Sequence, residues 1–184
     1  ASHQVAYLPN PYLEPDELRQ ALALELGITA EGGALAVTDA IHRRLVELKR
    51  DGRSAVVLLD EAQALPDATL EAIRLFGNLE TESSKLLQVV LFGQPELDSR
   101  LQADHLRQLR QRITFSYRLR PLVRDETRAY LEYRLVTSGY HGPALFAPGA
   151  VRLLWRASRG IPRLINILAH KSLMVAYGRG EGQI

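Results

Sequence analysis

Apolar positions recur along this chain with spacings that change from one segment to the next. Residues 3–8, with Val5, Ala6, Tyr7 and Leu8, read as a strand closed by Pro9-Asn10-Pro11, which cannot continue a helix. From 14 to 26 the set Leu18, Leu22 and Leu26 falls on one helical face, and Gly27 caps the end. After a Gly32-Gly33 loop, a second helix is predicted over about 35–50 with Ile41, Leu45 and Leu48 inward, ended by Asp51-Gly52. A strand over 54–59 follows. Pro66 then starts a helix whose apolar set is Leu70, Ile73, Leu75 and Leu79. Residues 86–92 form a second apolar strand, ending at Gly93-Gln94-Pro95. Short helices are expected over 96–102 and about 105–110, and Ile113-Thr114-Phe115-Ser116-Tyr117 alternates as a less buried strand would.

Strands separated by helices indicate parallel βαβ units with right-handed crossovers. After Pro121 the pattern becomes helical throughout: 125–136, 148–158 and 162–177, with a loop at Tyr140-His141-Gly142-Pro143 and no strand. The expected fold class is α/β, a three-layer parallel sheet over 1–121 followed by a small all-helical domain over 122–184. The last residues, Gly178-Arg179-Gly180-Glu181-Gly182, read as a flexible end. There is no internal repeat and no low-complexity tract.

The most informative stretch is Val56-Val57-Leu58-Leu59-Asp60-Glu61-Ala62-Gln63. Four apolar residues in a row suit a central parallel strand covered on both faces. Ligands bind at the carboxyl ends of such strands in open α/β sheets. There Asp60 can hold a Mg²⁺ and its water shell, and Glu61 can orient or deprotonate a water attacking a phosphate. This is the Walker B pattern of a P-loop NTPase. The competing reading has Asp60-Glu61 capping the following helix, since Asp is a good N-cap and an acidic first turn suits the dipole. The partner motif G-x-x-x-x-G-K-[ST] occurs nowhere in the chain.

Composition excludes more than it selects. The chain has 184 residues, 46% hydrophobic and 24% charged, within the range of one large globular domain or a domain with a satellite. A formal net charge of +2 is too small to argue for nucleic acid by itself. With no Cys there is no disulfide framework, thiolate metal site or cysteine nucleophile, which fits a reducing cytoplasm. No apolar run approaches the ~20 residues of a membrane span, and no secretory signal opens the chain. A domain seldom begins inside its own sheet, so the N-terminus is expected to be a cut.

Four further features suit a phosphate site, each with a plainer reading beside it. Gln94, just past the second apolar strand, can hydrogen-bond a γ-phosphate or the attacking water, or it is a turn residue. Asn10 ends the first strand; its amide can restrain Glu61, although Asn in a Pro-flanked turn is commonplace. The basic run Arg107–Arg112 ends in Arg112, placed to reach a neighbouring subunit's phosphate or to belong to a solvated basic face. Arg163, in Gly160-Ile161-Pro162-Arg163, sits at a helix N-terminus, the unfavourable end for a cation, which suggests an anionic partner: a phosphate or a carboxylate.

With these residues in place, the chain resembles the ExeA/GspA and MshM family of AAA+ ATPases, which serves type II secretion and MSHA-type pilus biogenesis. The carriers are Leu58-Leu59-Asp60-Glu61-Ala62-Gln63, Asn78-Leu79-Glu80-Thr81, and the run from Lys85 to Leu97 with Gly93-Gln94-Pro95. Leu106-Arg107-Gln108-Leu109-Arg110-Gln111-Arg112-Ile113 and Gly160-Ile161-Pro162-Arg163-Leu164-Ile165-Asn166 complete the set. The resemblance implies that Asp60 and Glu61 match Walker B, Gln94 sensor 1, Arg112 an arginine finger and Arg163 sensor 2 in a helical lid. Asn10 lies in the family's Asn-Pro segment, where a switch role is inferred.

Family members carry the phosphate-cradling loop and its strand just upstream of where this chain begins. The polypeptide as given is therefore expected to bind ATP weakly or not at all, while the parent is an ATPase with a five-stranded sheet. The implied cofactors are ATP and Mg²⁺. The implied partners are inner-membrane secretion or pilus-biogenesis proteins and further copies of the chain in a nucleotide-bound oligomer. The expected location is the cytoplasm, peripheral to the inner membrane, with no membrane insertion by this segment. The alternatives are a DNA-associated AAA+ ATPase, using 107–112 with Arg152, Arg156 and Arg159, and a nucleotide-free adaptor scaffold.

Overall fold

The computed structural model of the chain describes residues 3–9, 12–29, 32–77, 79–81 and 84–184. Two compact units are present, Ala1–Ser116 and Tyr117–Ile184.

In the first unit, β1 (His3–Leu8) is followed by α1 (Pro15–Glu25), α2 (Ala34–Arg50) and β2 (Ser54–Leu59). A 3₁₀ turn (Ala62–Ala64) leads to α3 (Asp67–Phe76) and a two-residue hairpin, β3 (Glu80–Thr81) with β4 (Ser84–Lys85). Next come β5 (Leu87–Leu91), α4 (Pro95–Arg100), a second 3₁₀ turn (Asp104–Leu106) and α5 (Arg107–Arg112). Strands β1, β2 and β5 form one parallel sheet in the order β1-β2-β5, so the apolar strand before Asp60 is central. Leu8 stands opposite Leu59, and Leu59 opposite Leu91, which brings the three carboxyl ends level.

Period decides what each element buries. Helix α1 turns Leu18 and Leu22 inward, and α2 turns Val37, Ile41, Leu45 and Leu48, as four-residue spacings dictate. They join Leu70, Ile73 and Phe76 of α3 and the inward strand residues Ala6, Leu8, Ala55, Val57, Leu59 and Leu87 in one core. Helix α1 is capped at its C-terminus by Leu26, and Gly27 takes the left-handed φ of +76° that an L side chain resists.

Three expectations are corrected here. Strand β2 is not covered on both faces: Val57 and Leu59 are buried, but Val56 and Leu58 only partly. Their registered neighbours Val5 (49% exposed), Tyr7 (46%) and Val90 share that more open face. Leu75 of α3 is exposed and Leu79 lies past the helix end, so the inward set is Leu70, Ala72, Ile73 and Phe76. Residues 113–117 are not a strand. Their alternation satisfies a period of two, but alternation alone does not place a segment in a ladder. Among the described residues the parallel sheet consists of β1, β2 and β5.

The second unit holds α6 (Arg124–Thr137), α7 (Pro148–Ser158) and α8 (Pro162–Arg179), close to the expected helices and without strands. Its core is Leu131, Val151, Leu154, Ile165 and Ala169. Glu126, at the third position of α6, accepts the Val123 N–H at 3.0 Å and both Arg120 Nη1 and Nη2, at 2.9 and 2.7 Å. These donors hold its carboxyl at about 2, Arg120 contributing most. The chain end is tied rather than loose: Ala147 donates to the Ile184 carbonyl at 2.7 Å, and Ile184 to that of Leu145 at 2.8 Å.

Candidate functional site

The level strand ends build the site. Asp60 N–H donates to the Leu8 carbonyl at 3.1 Å and Phe92 N–H to that of Leu59 at 2.8 Å, so the ladder runs one residue past each strand. Ala62 N–H then reaches back to the Phe92 carbonyl at 2.8 Å. Between these two anchors Glu61 adopts φ 51°, ψ 36°. A non-glycine residue there costs roughly 1–2 kcal/mol and persists only where its surroundings fix it. The result is an exposed Glu61 beside a half-buried Asp60 at the end of the central strand.

Both Asp60 oxygens are engaged: Oδ1 accepts the Glu61 N–H at 2.9 Å and Oδ2 the Tyr7 hydroxyl at 3.1 Å. The hydrogen bond to Asp60, with its negative charge, pushes the Tyr7 phenol above its usual range, so Tyr7 remains a donor. Glu61 Oε2 accepts Gln63 Nε2 at 2.5 Å. Gln63 Oε1 in turn accepts the backbone N–H of Gln94 at 2.9 Å. Gln94 is the N-cap residue of α4, on the loop leaving β5. Tyr7, Asp60, Glu61, Gln63 and Gln94 thus form one hydrogen-bonded chain across the three strand ends.

Behind them, Arg100 of α4 clamps the 3₁₀ turn. Its Nη1 donates to the carbonyls of Gln63 (2.6 Å) and Leu65 (2.7 Å), and its Nη2 pairs with Asp67. His105 Nε2 meets the other Asp67 oxygen at 2.7 Å. Arg100 first, then His105, holds the Asp67 carboxyl below the usual range.

Of the residues predicted from sequence, the structure joins Asp60, Glu61 and Gln94. Asn10 lies outside the described residues. Arg112 is exposed at the C-terminal end of α5, where the dipole favours a cation, and is not a member of the Tyr7–Asp60–Glu61–Gln63–Gln94 chain. Arg163 is exposed in the first turn of α8, within the second unit. Sequence reasoning missed Tyr7, Gln63 and Arg100. Gln63 stood in the quoted motif without a role, and Tyr7 and Arg100 carry no local signal, because their partners lie 53 and about 33–37 residues away.

The donor set suits Mg²⁺. That ion takes one or two carboxylates and leaves its other positions to water and phosphate oxygens. Asp60 offers such a carboxylate at a strand end, and among the described residues no group of three or more His, Asp or Glu forms a protein-built cage.

The chain is similar to known proteins in sequence and in fold. The family model described as "AAA domain" matches residues 2–101. The chain belongs to the AAA family. It is 43% identical to General secretion pathway protein A of Aeromonas hydrophila over 183 residues, 98% of this chain. That bears out the resemblance to the ExeA/GspA family of AAA+ ATPases. The AAA chain spans about a third (33%) of that relative's length.

Solved structures agree on the fold. Cdc6p from Pyrobaculum aerophilum superposes with a TM-score of 0.68 at 16% identity, covering 100% of this chain and 50% of that one. The Aeropyrum pernix ORC1 protein, solved in complex with DNA, gives 0.67 at 18%, covering 99% and 47%. The Thermotoga maritima RuvB Holliday junction branch migration motor gives 0.54 at 17%, covering 100% and 58%. At these identities the likeness concerns the P-loop AAA+ fold alone.

Proposed function

We propose that this AAA module hydrolyses ATP within its full-length protein and drives or assembles an inner-membrane secretion or pilus-biogenesis complex from the cytoplasmic side. The observation that carries the reading is the pair Asp60–Glu61 at the carboxyl end of the central strand, with the Gln94 loop tied to it through Gln63. Bound Mg²⁺ would neutralise phosphate charge, and Asp60 is the residue to hold it. Glu61 orients and deprotonates the attacking water, and Gln94 contributes an amide toward the γ-phosphate or that water. Arg112 serves a neighbouring copy as an arginine finger, Arg163 senses the nucleotide from the helical lid, and Asn10 restrains Glu61. The reading requires a phosphate-cradling loop, a motif that residues 1–184 do not contain. Identity to General secretion pathway protein A supports the secretion assignment. Among the described residues no helix is long and apolar enough to cross a membrane.

The test is ATP turnover by the chain extended upstream to its natural start, beside the same protein carrying Glu61→Gln. Turnover lost in the variant with nucleotide binding intact is the expected outcome. An extended wild type that neither binds nor hydrolyses ATP refutes the reading and leaves the adaptor scaffold. A DNA-associated role finds support in Arg152, Arg156 and Arg159, all exposed. Binding to duplex DNA that falls steeply with salt would favour it.

A further inference from the structure

We propose that Gln63 is the positioning residue of the hydrolytic site, a two-ended link that sets the Glu61 carboxylate according to the position of the Gln94 loop. The inference rests on Glu61 acting on the attacking water, as above, and goes further by naming what aims it.

The orientation of the Gln63 amide follows from chemistry. Only Oε1 can accept the Gln94 N–H, and only Nε2 can donate to a carboxylate, so one rotamer satisfies both ends. The backbone that carries the side chain is held as well. Its own carbonyl is clamped by Arg100, and Ala62 N–H ties the same turn to Phe92. Glycine at 93 leaves the room: a Cβ there would stand 3.1 Å from Gln63 Oε1 and 2.9 Å from Leu97 Cδ2. Glu61 itself is exposed and has three rotatable side-chain bonds' worth of freedom to lose, so without Gln63 its carboxylate samples solvent. With Gln63 in place, a displacement of the β5–α4 loop, on which Gln94 sits, must move the Glu61 carboxylate or break one of two hydrogen bonds. A misplacement of about 1 Å at a reacting group costs on the order of 100-fold in rate.

The experiment uses the full-length protein with Gln63→Met, which keeps the shape and removes both hydrogen bonds, and Gln63→Glu, which keeps the acceptor for Gln94 and loses the donor to Glu61. Two readouts are taken: steady-state kcat and KM for MgATP, and hydrogen exchange of the Gln94 amide without nucleotide or metal. Both variants are expected to lose on the order of 10- to 100-fold in kcat with KM changed less than about threefold. Gln94 amide protection should fall in Gln63→Met and persist in Gln63→Glu. Neither variant should add to the loss caused by Glu61→Gln, since Gln63 acts only through that residue. Turnover within about twofold of wild type in both variants, while Glu61→Gln still abolishes it, overturns the positioning role and leaves the ATPase reading standing. Unchanged turnover in Glu61→Gln overturns both.

Discussion

Replacing Gly160 by Ala should unseat the turn that delivers Arg163. Gly160 has φ +74°, and a Cβ built on it would lie 2.1 Å from the Leu122 carbonyl oxygen and 3.0 Å from the Leu122 nitrogen. These are backbone atoms and cannot rotate aside. The backbone at Leu122 must move, and it is held by its own N–H donating to the Gly160 carbonyl (2.9 Å) and by Trp155 Nε1–H donating to the Leu122 carbonyl (3.1 Å). Two such bonds contribute about 1 kcal/mol each. A left-handed L residue costs roughly 1–2 kcal/mol more, and the smaller unfolded-state entropy of Ala gives back about 0.4–1 kcal/mol. The net loss is about 3 kcal/mol.

The chain supplies its own probe, since Trp155 is the sole tryptophan and bonds to the displaced carbonyl. Urea unfolding followed by its emission should show the Gly160→Ala midpoint fall by an amount equivalent to about 3 kcal/mol. Arg159→Gly is the matched control. Arg159 also sits at positive φ (53°), and there glycine relieves strain, so stability should hold or rise by up to about 1 kcal/mol. Gly160→Ala within about 1 kcal/mol of wild type would refute the clash argument, as would equal damage from both variants.

Other consequences follow from the same packing and pairing. Glu126 has a depressed folded value of about 2 against an ordinary 4.5, so its contribution is full above pH 4.5 and is lost as pH falls toward 2. An acid titration of Trp155 emission should therefore lose its component in that window in Glu126→Gln. Arg100→Ala should lower stability by about 1–2 kcal/mol, a range already discounted for partial exposure, and speed amide exchange in the 3₁₀ turn; unchanged exchange there would refute the clamp. Leu45→Ala, at a position 1% exposed, should cost about 2–5 kcal/mol in urea unfolding. In an alkaline absorbance titration, Tyr7→Phe should remove a tyrosine step lying above the ordinary phenol range; its persistence would place that step elsewhere.

Helices were legible because their evidence is local. The four-residue recurrence of Leu18, Leu22 and Leu26, or of Ile41, Leu45 and Leu48, states both the period and the buried face. Helix α7 matched the expected 148–158 because Pro at its first position and the turn after Ser158 mark both ends. Strands need more than their own residues. Ile113-Thr114-Phe115-Ser116-Tyr117 has the alternation of a strand, yet Phe115 is 79% exposed and, among the described residues, the parallel sheet consists of β1, β2 and β5, because joining a sheet depends on residues that the segment does not encode. The open face of β2 was hidden for the same reason: Val-Val-Leu-Leu says that both faces can be buried, not that both are.

The site divides along the same line. Asp60 and Glu61 were readable as adjacent carboxylates after an apolar run, and Gln94 as the polar residue at the matching end of the next strand, because parallel register makes equivalent strand ends neighbours. What joins them was not readable. Gln63 becomes meaningful only when Glu61 enters the left-handed region and the turn folds back under Phe92, which brings an amide two residues away under the carboxylate and against a loop 31 residues on. Among the described residues, Glu61 and Arg159 are the non-glycine residues at positive φ. One carries the carboxylate of the strand-end cluster, and the other immediately precedes the Gly160-Ile161-Pro162-Arg163 turn. Strain of this kind survives only where the surroundings fix it. Both turns are fixed by backbone bonds to segments distant in sequence: Ala62 to Phe92 in the first unit, Leu122 to Gly160 in the second. The carboxylates and the Gln94 loop thus announce the chemistry. Gln63, a motif residue to which sequence reasoning assigned no role, bonds to Glu61 and the Gln94 loop. Two residues outside any motif brace the turns: Arg100 the 3₁₀ turn behind them, Trp155 the backbone at Leu122.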